Sequence, residues 1–113
     1  AERGGRRAEL LASLMLMLKG FEILERRYRT PAGEIDLIAR RGQLLVFAEV
    51  KARASADAGV EAVTVQARRR IERAASLFLA RRARLADCMM RYDILTVSGL
   101  RVSHKADAWR QGE

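Results

Sequence analysis

Charged side chains interrupt two short apolar segments of this chain, GEIDLI and VFAEVK. Asp36 lies in the first segment, and Glu49 and Lys51 lie in the second. Each segment has the apolar, β-branched or aromatic composition that is typical of a β-strand. Ionised groups beside an apolar core cost several kcal/mol each unless they are paired or bind a metal. These three residues are therefore the first candidates for a functional site.

The spacing of the charges predicts that they converge. Two strands joined by the short polar turn Arg40–Gln43 are expected to pair as an antiparallel hairpin. Because strand side chains alternate between faces, Glu34 and Asp36 share one face of their strand, and Glu49 and Lys51 share one face of theirs. If these faces coincide, three carboxylates and one ammonium group meet beside the core.

Such a cluster suits the metal-assisted hydrolysis of phosphodiesters. Mg²⁺ prefers carboxylate oxygens and water, and Mn²⁺ has similar preferences. A cation held by Asp36 and Glu49 could generate a hydroxide nucleophile and stabilise the charge that builds up on the phosphate. Lys51 could orient the attacking water or neutralise the developing oxyanion. The alternative is a surface hairpin whose charges simply face solvent.

The two segments closely resemble the YraN family, bacterial proteins with an endonuclease-like fold. That family belongs with the PD-(D/E)xK nucleases, alongside restriction enzymes and archaeal Holliday-junction resolvases. The similarity covers nearly the whole chain, from Glu9–Ala12 to Ala106–Trp109. It implies an α/β, restriction-endonuclease-like αβββαβ core with a mixed sheet flanked by helices. It also implies that Asp36, Glu49 and Lys51 form the nuclease signature.

The resemblance adds a further acid and shows two departures. Glu9 matches the acid on the opening helix that resolvase-like relatives add to the metal site, so the implied catalytic residues are Asp36, Glu49, Lys51 and Glu9. Arg27 stands where the family often has Asn, and Ala67 stands where it often has Lys. The first departure leaves the predicted metal ligands, Asp36 and Glu49, in place. Arginines that follow Ala67 could supply the second missing charge.

Charge predicts a nucleic-acid partner. The chain has 22 basic and 14 acidic residues, a net charge of +8 and a pI near 10.9. A basic balance of this size is expected of a protein that binds nucleic acid, although an arginine-rich composition also reflects genome base composition. The long helix predicted after residue 64 carries one acid, Glu72, among many arginines, and Arg68 and Glu72 have the spacing of an i,i+4 pair. The helix is either a solvated face or a phosphate-binding surface. The residues predicted to bind nucleic acid are Arg68, Arg69, Arg70 and Arg73.

Several other classes of site are excluded. Cys88 is the only cysteine, so the chain has neither an internal disulfide nor a zinc–cysteine cluster. His104 is the only histidine, so a metal site with two histidine ligands is excluded. The better interpretation is that His104 caps a late strand or lies on its surface. The apolar run Leu10–Leu18 is too short to cross a bilayer. We therefore expect a cytoplasmic protein with no membrane partner.

The chain is long enough for one domain with a modest core. We expect a flexible basic arm over residues 1–7 and a single nuclease-like domain over residues 8–113. The predicted elements are a helix at 8–19, a strand at 22–29, the two central strands, a loop at 55–59, a helix at 64–84, and strands at 91–97 and 100–105. The apolar face of the first helix is expected at Ala8, Leu11, Ala12, Met15 and Leu18. The strand at 91–97 is expected to run parallel to a neighbour, because a helix intervenes.

These observations predict a nuclease that uses Mg²⁺ or Mn²⁺ and acts on DNA, including branched or structured DNA, with structured RNA as the less favoured substrate. The alternative is a non-catalytic nucleic-acid-binding module of the same fold. A third interpretation is a protein-interaction subunit whose basic face meets an acidic partner. Superfamily relatives are often dimers, so a homodimer is compatible with the resemblance.

Overall fold

One mixed sheet of five strands is covered by helices on both faces in the computed structural model, which describes residues 5–113. The strand order is β1-β2-β3-β4-β5. The elements in chain order are α1 (Gly5–Leu18), β1 (Glu22–Thr30), β2 (Gly33–Arg41), β3 (Leu44–Ala52), α2 (Ala56–Glu61), α3 (Val65–Ala80), β4 (Met89–Ser98) and β5 (Arg101–Trp109), with a 3₁₀ turn at Ala83–Leu85. This order confirms the predicted α/β class and is compatible with a restriction-endonuclease-like core.

The central hairpin and the crossover both form as the sequence predicts. Strands β2 and β3 pair antiparallel, with Leu37 opposite Ala48. Strands β3 and β4 pair parallel, with Phe47 opposite Tyr92, and the connection between them passes through α2 and α3. Strands β2 and β3, which carry Asp36, Glu49 and Lys51, therefore lie inside the sheet, and each is flanked by a strand on both sides.

Each face of the sheet carries its own apolar cluster. Beneath α3, Phe47 packs edge-on against Phe78 with ring centroids 6.0 Å apart, and Tyr92 stacks on Trp109 at 5.0 Å. Beneath α1, smaller side chains fill the opposite face. The buried members of that second cluster are Ala12, Leu16, Phe21, Leu37, Ala39, Val46, Ala48 and Leu95. The two clusters hold both helices firmly against the central strands.

Helix α1 begins earlier than the sequence predicts and buries a different stripe. It starts at Gly5, so it includes Arg6 and Arg7, while residues 1–4 of the predicted arm lie outside the described residues. Gly20 follows the end of the helix with a φ of 90°, a conformation that favours glycine. The predicted apolar face was wrong at Leu18, which is 87% exposed. The buried residues are Ala8, Ala12, Ser13 and Leu16.

The segment predicted as a loop at 55–59 instead begins helix α2. Ser55 caps this helix, because its hydroxyl accepts a hydrogen bond from the Ala58 N–H at 3.1 Å. Gly59 allows close packing on the sheet, since a Cβ there would lie 1.8 Å from Thr96 Oγ1. The sequence prediction missed this helix because it spans only six residues and has no apolar period of its own.

Helix α3 is shorter at both ends than the predicted span of 64–84. Thr64 is its N-cap, with Oγ1 accepting from the Ala67 N–H at 3.1 Å. The helix stops at Ala80, and a 3₁₀ turn follows. Strand β5 is longer than predicted and reaches Trp109. No helix within residues 5–113 combines the length and apolarity needed to span a bilayer.

A chain of polar side chains, centred on the buried Asp93 and ending at the exposed Lys19, links the residue after α1 to the last two strands. Arg91 donates two hydrogen bonds of 2.8 Å to Asp93, and His104 Nε2 lies 2.7 Å from the same carboxylate. Lys19 Nζ lies 2.8 Å from His104 Nδ1. Burial alone would raise the pKa of Asp93, but the hydrogen bonds from His104 and Arg91 hold it below its ordinary value. His104 is thus a structural link rather than a surface decoration.

Candidate active site

The site forms where β2 and β3 separate. Leu37 and Ala48 are the last regular pair of these strands on the side of Asp36. Beyond that pair, the Val50 N–H donates to Asp36 Oδ2 at 2.8 Å. A side chain therefore takes the place of a backbone carbonyl as the acceptor, and the carboxylate is held in the gap between the two strands.

All four predicted catalytic residues line one cavity in this gap. The cavity has a volume of about 310 Å³ and is open to solvent. Its walls are formed by Gly5, Ala8, Glu9, Arg29, Glu34, Asp36, Glu49, Val50, Lys51 and Ala52. The convergence inferred from strand alternation is thus present in the structure, and α1 contributes Glu9 from the other side of the gap.

Glu49 is the most perturbed acid of the cavity. Its pKa is raised from 4.5 to about 9, first because the group is buried and then because it shares a hydrogen bond with Asp36 and feels that residue's negative charge. Lys51 opposes the shift, and Glu34 adds slightly to it. Two carboxyl groups this close cannot both ionise at low cost without a cation, so the pair holds a proton near neutral pH.

The Lys51 side chain extends into the same cavity and makes only a long contact with Glu49. Its Nζ lies 3.8 Å from Glu49 Oε2, which is long for a charge-assisted hydrogen bond. The Lys51 side chain is 26% exposed, so the ammonium group meets both the acid pair and solvent. Glu34 lies at the mouth, where its carboxylate is 3.6 Å from Arg29 and both side chains are largely exposed.

Glu9 lines the cavity but is already paired. Arg27 Nε donates to Glu9 Oε1 at 2.7 Å, and both side chains are mostly buried. Within residues 5–113 no three acid, histidine or cysteine side chains are grouped so as to hold a metal ion. The acids that remain for a cation are Asp36 and Glu49.

The Asp36–Glu49 pair nevertheless fits a hard divalent cation. Burial and then the nearness of Asp36 raise the pKa of Glu49, and a bound cation would offset both the burial of the charge and the repulsion between the two carboxylates. Mg²⁺ commonly keeps several waters and needs only one or two protein carboxylates. The chemistry of the donor set is therefore suitable for Mg²⁺ or Mn²⁺, with solvent completing the coordination in the open cavity.

Two of the four arginines predicted to bind nucleic acid make internal contacts. The Arg68 guanidinium lies 5.3 Å from the centre of the Trp109 ring. Arg69 donates to Glu72 at 3.0 Å and to the backbone carbonyl of Gly112 at 3.0 Å. The expected i,i+4 pair of Arg68 and Glu72 is thus replaced by an i,i+3 pair from Arg69. Both residues help to hold the end of the chain against α3.

The other two, Arg70 and Arg73, are exposed. Arg70 also lines a smaller cavity of about 180 Å³ together with Glu34 and Glu49, so it lies beside the acid pair. Gly33 at the start of β2 allows close packing against α3 at Arg70, because a Cβ there would lie 2.7 Å from the Arg70 carbonyl oxygen. Arg70 is therefore a neighbour of Glu49, and Arg73 lies three residues further along the same helix.

Sequence reasoning missed the part that Arg27 takes in this site. It identified Arg27 only as a departure from a family pattern and assigned it no contact. The signal that could have drawn attention to it is its place in β1, since β1 pairs with β2 with Arg26 opposite Leu37 and Tyr28 opposite Ile35. That register puts Arg27 beside Asp36.

Comparison with known proteins agrees with this architecture. Residues 8–97 match the model of a family described as "Uncharacterised protein family UPF0102". The chain belongs to the UPF0102 (YraN) family. It is similar to a UPF0102 protein of Parvibaculum lavamentivorans, with 50% identity over 97% of this chain and 84% of that protein. A UPF0102 protein of Paramagnetospirillum magneticum is 50% identical over 97% of this chain and 89% of its own length.

A third UPF0102 protein, from Brucella canis, is 58% identical over 82% of this chain and 74% of its own length. The names of these UPF0102 relatives state no activity. Membership of the UPF0102 family therefore confirms the resemblance seen in the sequence.

Proposed function

We propose that this protein is a divalent-metal-dependent nuclease that hydrolyses phosphodiester bonds in DNA. The observation that carries the proposal is the pair of abutting carboxylates, Asp36 and Glu49, held in an open cavity with Lys51 at its side. Such a pair is costly in the absence of a cation, and a cost of this kind is typical of functional sites.

Each residue then has a distinct part in the reaction. Asp36 and Glu49 would hold Mg²⁺ or Mn²⁺, which when bound supplies a hydroxide nucleophile and offsets charge on the phosphate. Lys51 would orient the attacking water or neutralise the oxyanion, since its ammonium group lies within the cavity near Glu49. Arg70 and Arg73 would contact phosphates next to the scissile bond.

Overall charge and surface placement support DNA as the substrate class. The net charge of +8 favours a polyanion, and Arg70 of α3 is exposed and lies beside Glu49. Aromatic residues make up 5% of the chain, and Tyr92 and Trp109 are buried. Phosphate contact and shape recognition are therefore favoured over stacking of single-stranded bases.

One observation favours the alternative of a nucleic-acid-binding module that does not cut. Glu9 is paired with Arg27, so the acid that would complete a three-carboxylate site is engaged elsewhere. A protein that kept only the basic surface would bind DNA equally well with or without Mg²⁺. The two functions thus differ in a single measurable property, the dependence of DNA cleavage on divalent metal.

The test is incubation of the purified protein with branched, nicked and linear DNA and with structured RNA, with and without Mg²⁺ or Mn²⁺. We expect at least one DNA structure to be cut only when metal is present. Asp36→Asn and Glu49→Gln should abolish cleavage and spare DNA binding, and Lys51→Ala should slow it. Glu22→Gln, which removes an exposed acid outside the cavity, is the matched control and should cut like wild type. If wild type and Asp36→Asn degrade DNA equally, the site assignment is wrong.

A further inference from the structure

Arg27 adopts a backbone conformation that is unusual for its residue type. Its φ is 51°, in the left-handed region that residues other than glycine seldom adopt and in which Asn is several-fold enriched. The residue lies within β1, where regular strand geometry would be the low-energy choice. A side chain held at such a position is often held for its contacts, and those contacts face the acid cavity.

The Arg27 guanidinium is surrounded by acids of the site. Its Nε donates to Glu9 Oε1 at 2.7 Å. Glu34 and Asp36 add further attraction, so the pKa of Arg27 lies above its ordinary value, with the Glu9 hydrogen bond as the largest cause. Its Nη2 is buried and makes no hydrogen bond to any of residues 5–113. Glu9 therefore gains a cationic partner, while one nitrogen of the Arg27 guanidinium is left without a hydrogen bond to the described residues.

This position has a consequence for metal binding. The cavity wall contains four acids, Glu9, Glu34, Asp36 and Glu49, yet no three of them form a metal-binding group within the described residues. Arg27 accounts for the loss of Glu9, since one Glu9 oxygen is already occupied by a cationic donor. It also adds a positive charge near Asp36, one of the two remaining ligands.

We propose that Arg27 is a built-in counter-cation that keeps Glu9 out of the metal set and weakens divalent-cation binding in the absence of nucleic acid. This inference rests on the proposed metal-dependent function and names how that site is regulated. A site with two carboxylates and an internal cation has room for phosphate oxygens as additional ligands. Metal would then bind well only when a nucleic acid is present to supply them.

The experiment is a double-mutant cycle read out by Mn²⁺ affinity, measured by calorimetry on the DNA-free protein. The variants are wild type, Arg27→Asn, Glu9→Gln and the double variant. Arg27→Asn should bind Mn²⁺ roughly tenfold more tightly, since altering the hydrogen-bond partner of a metal ligand typically changes affinity by about 10–100-fold. In the Arg27→Asn background, Glu9→Gln should reverse most of that gain, because Glu9 would be the added ligand.

Two further variants guard against a merely structural effect. Asn suits the left-handed conformation, so Arg27→Asn should fold, and Arg27→Gln provides a second neutral side chain. Arg27→Lys retains the charge and should keep the Mn²⁺ affinity within about threefold of wild type, whereas a packing defect would not be rescued in this way. Circular dichroism confirms that each variant is folded.

The outcomes separate this inference from the proposed function. If Arg27→Asn and wild type bind Mn²⁺ equally while wild type cuts DNA, the inference about Arg27 is wrong and the nuclease proposal stands. If none of the variants binds Mn²⁺, the inference about Arg27 is wrong, and the metal dependence of DNA cleavage by wild type then decides the nuclease proposal separately. If Arg27→Asn binds more tightly and the gain depends on Glu9, the inference holds whether or not wild type cuts the DNA that was tested.

Discussion

Replacing Glu49 with Gln should flatten the pH dependence of stability in the metal-free protein. The pKa of Glu49 is raised from 4.5 to about 9 in the folded state. Between these values the folded protein binds more protons than the unfolded chain, so the free energy of unfolding falls as the pH rises. The Glu49 contribution is complete below pH 4.5 and is lost progressively up to about pH 9.

The size of the effect follows from the same shift. Each pKa unit corresponds to about 1.4 kcal/mol, so an interval of about three pH units, from about 5.5 to about 8.5, sets an upper limit of about 4 kcal/mol. The Glu49 side chain is 14% exposed and borders an open cavity, so water relieves part of the repulsion. We expect wild type to lose about 2 kcal/mol more than Glu49→Gln across this interval.

The assay is urea unfolding in EDTA at several pH values, expressed as the difference in unfolding free energy between the variant and wild type. Taking the difference cancels the titration of groups that both proteins share. Glu34→Gln is the matched control, because it makes the same chemical change at the exposed mouth of the same cavity. Asp36→Asn should flatten the curve only in part, because it removes the charge of Asp36 but leaves Glu49 buried, while Asn can still accept the Val50 hydrogen bond. Parallel curves for wild type and Glu49→Gln would refute the reasoning.

Two other predictions concern α3. The double variant Arg70→Gln, Arg73→Gln should weaken DNA binding for all sequences. The slope of log affinity against log salt should become shallower by roughly 0.9 per residue on duplex DNA. An unchanged slope, or an equal change for the exposed control Arg101→Gln, would place the DNA on another surface. Glu72→Ala should destabilise the fold by on the order of 3 kcal/mol in urea unfolding, because it leaves the buried indole N–H of Trp109 without its acceptor and removes the carboxylate that pairs with Arg69. The exposed control Glu61→Ala should shift stability by less than about 0.5 kcal/mol.

The central hairpin could be predicted from sequence because its signals are local. Strand composition, a short polar turn and the alternation of side chains fix the pairing and bring Asp36 and Glu49 together. The resemblance to a known family added Glu9, which the residues alone would not have connected to the strands. The structure places all three acids in one cavity.

Other features depended on long-range contacts and could not be predicted. Helix α2 exists because Gly59 packs closely on Thr96, which no local pattern shows. The apolar residues of α1 surround most of the helix, so the stripe that faces the sheet cannot be chosen from periodicity alone, and Leu18 was wrongly assigned to it. The sequence groups Arg69 with the neighbouring arginines by charge. In the structure Arg69 instead donates to the backbone carbonyls of Gly112 and Glu113, which lie more than forty positions away.

The arrangement of charges around the cavity links the metal question to the nucleic-acid question. Asp36 and Glu49 repel each other, Lys51 offsets that repulsion weakly, and Arg27 pairs mainly with Glu9 and interacts more weakly with Asp36. A site balanced in this way is expected to bind a free cation only modestly and to bind it better when phosphate oxygens are added. A binding module without chemistry would have no use for the strain of the paired acids. Metal-dependent cleavage together with a flattened pH profile in Glu49→Gln would therefore select the nuclease, whereas metal-independent DNA binding and parallel pH profiles would select the module that does not cut.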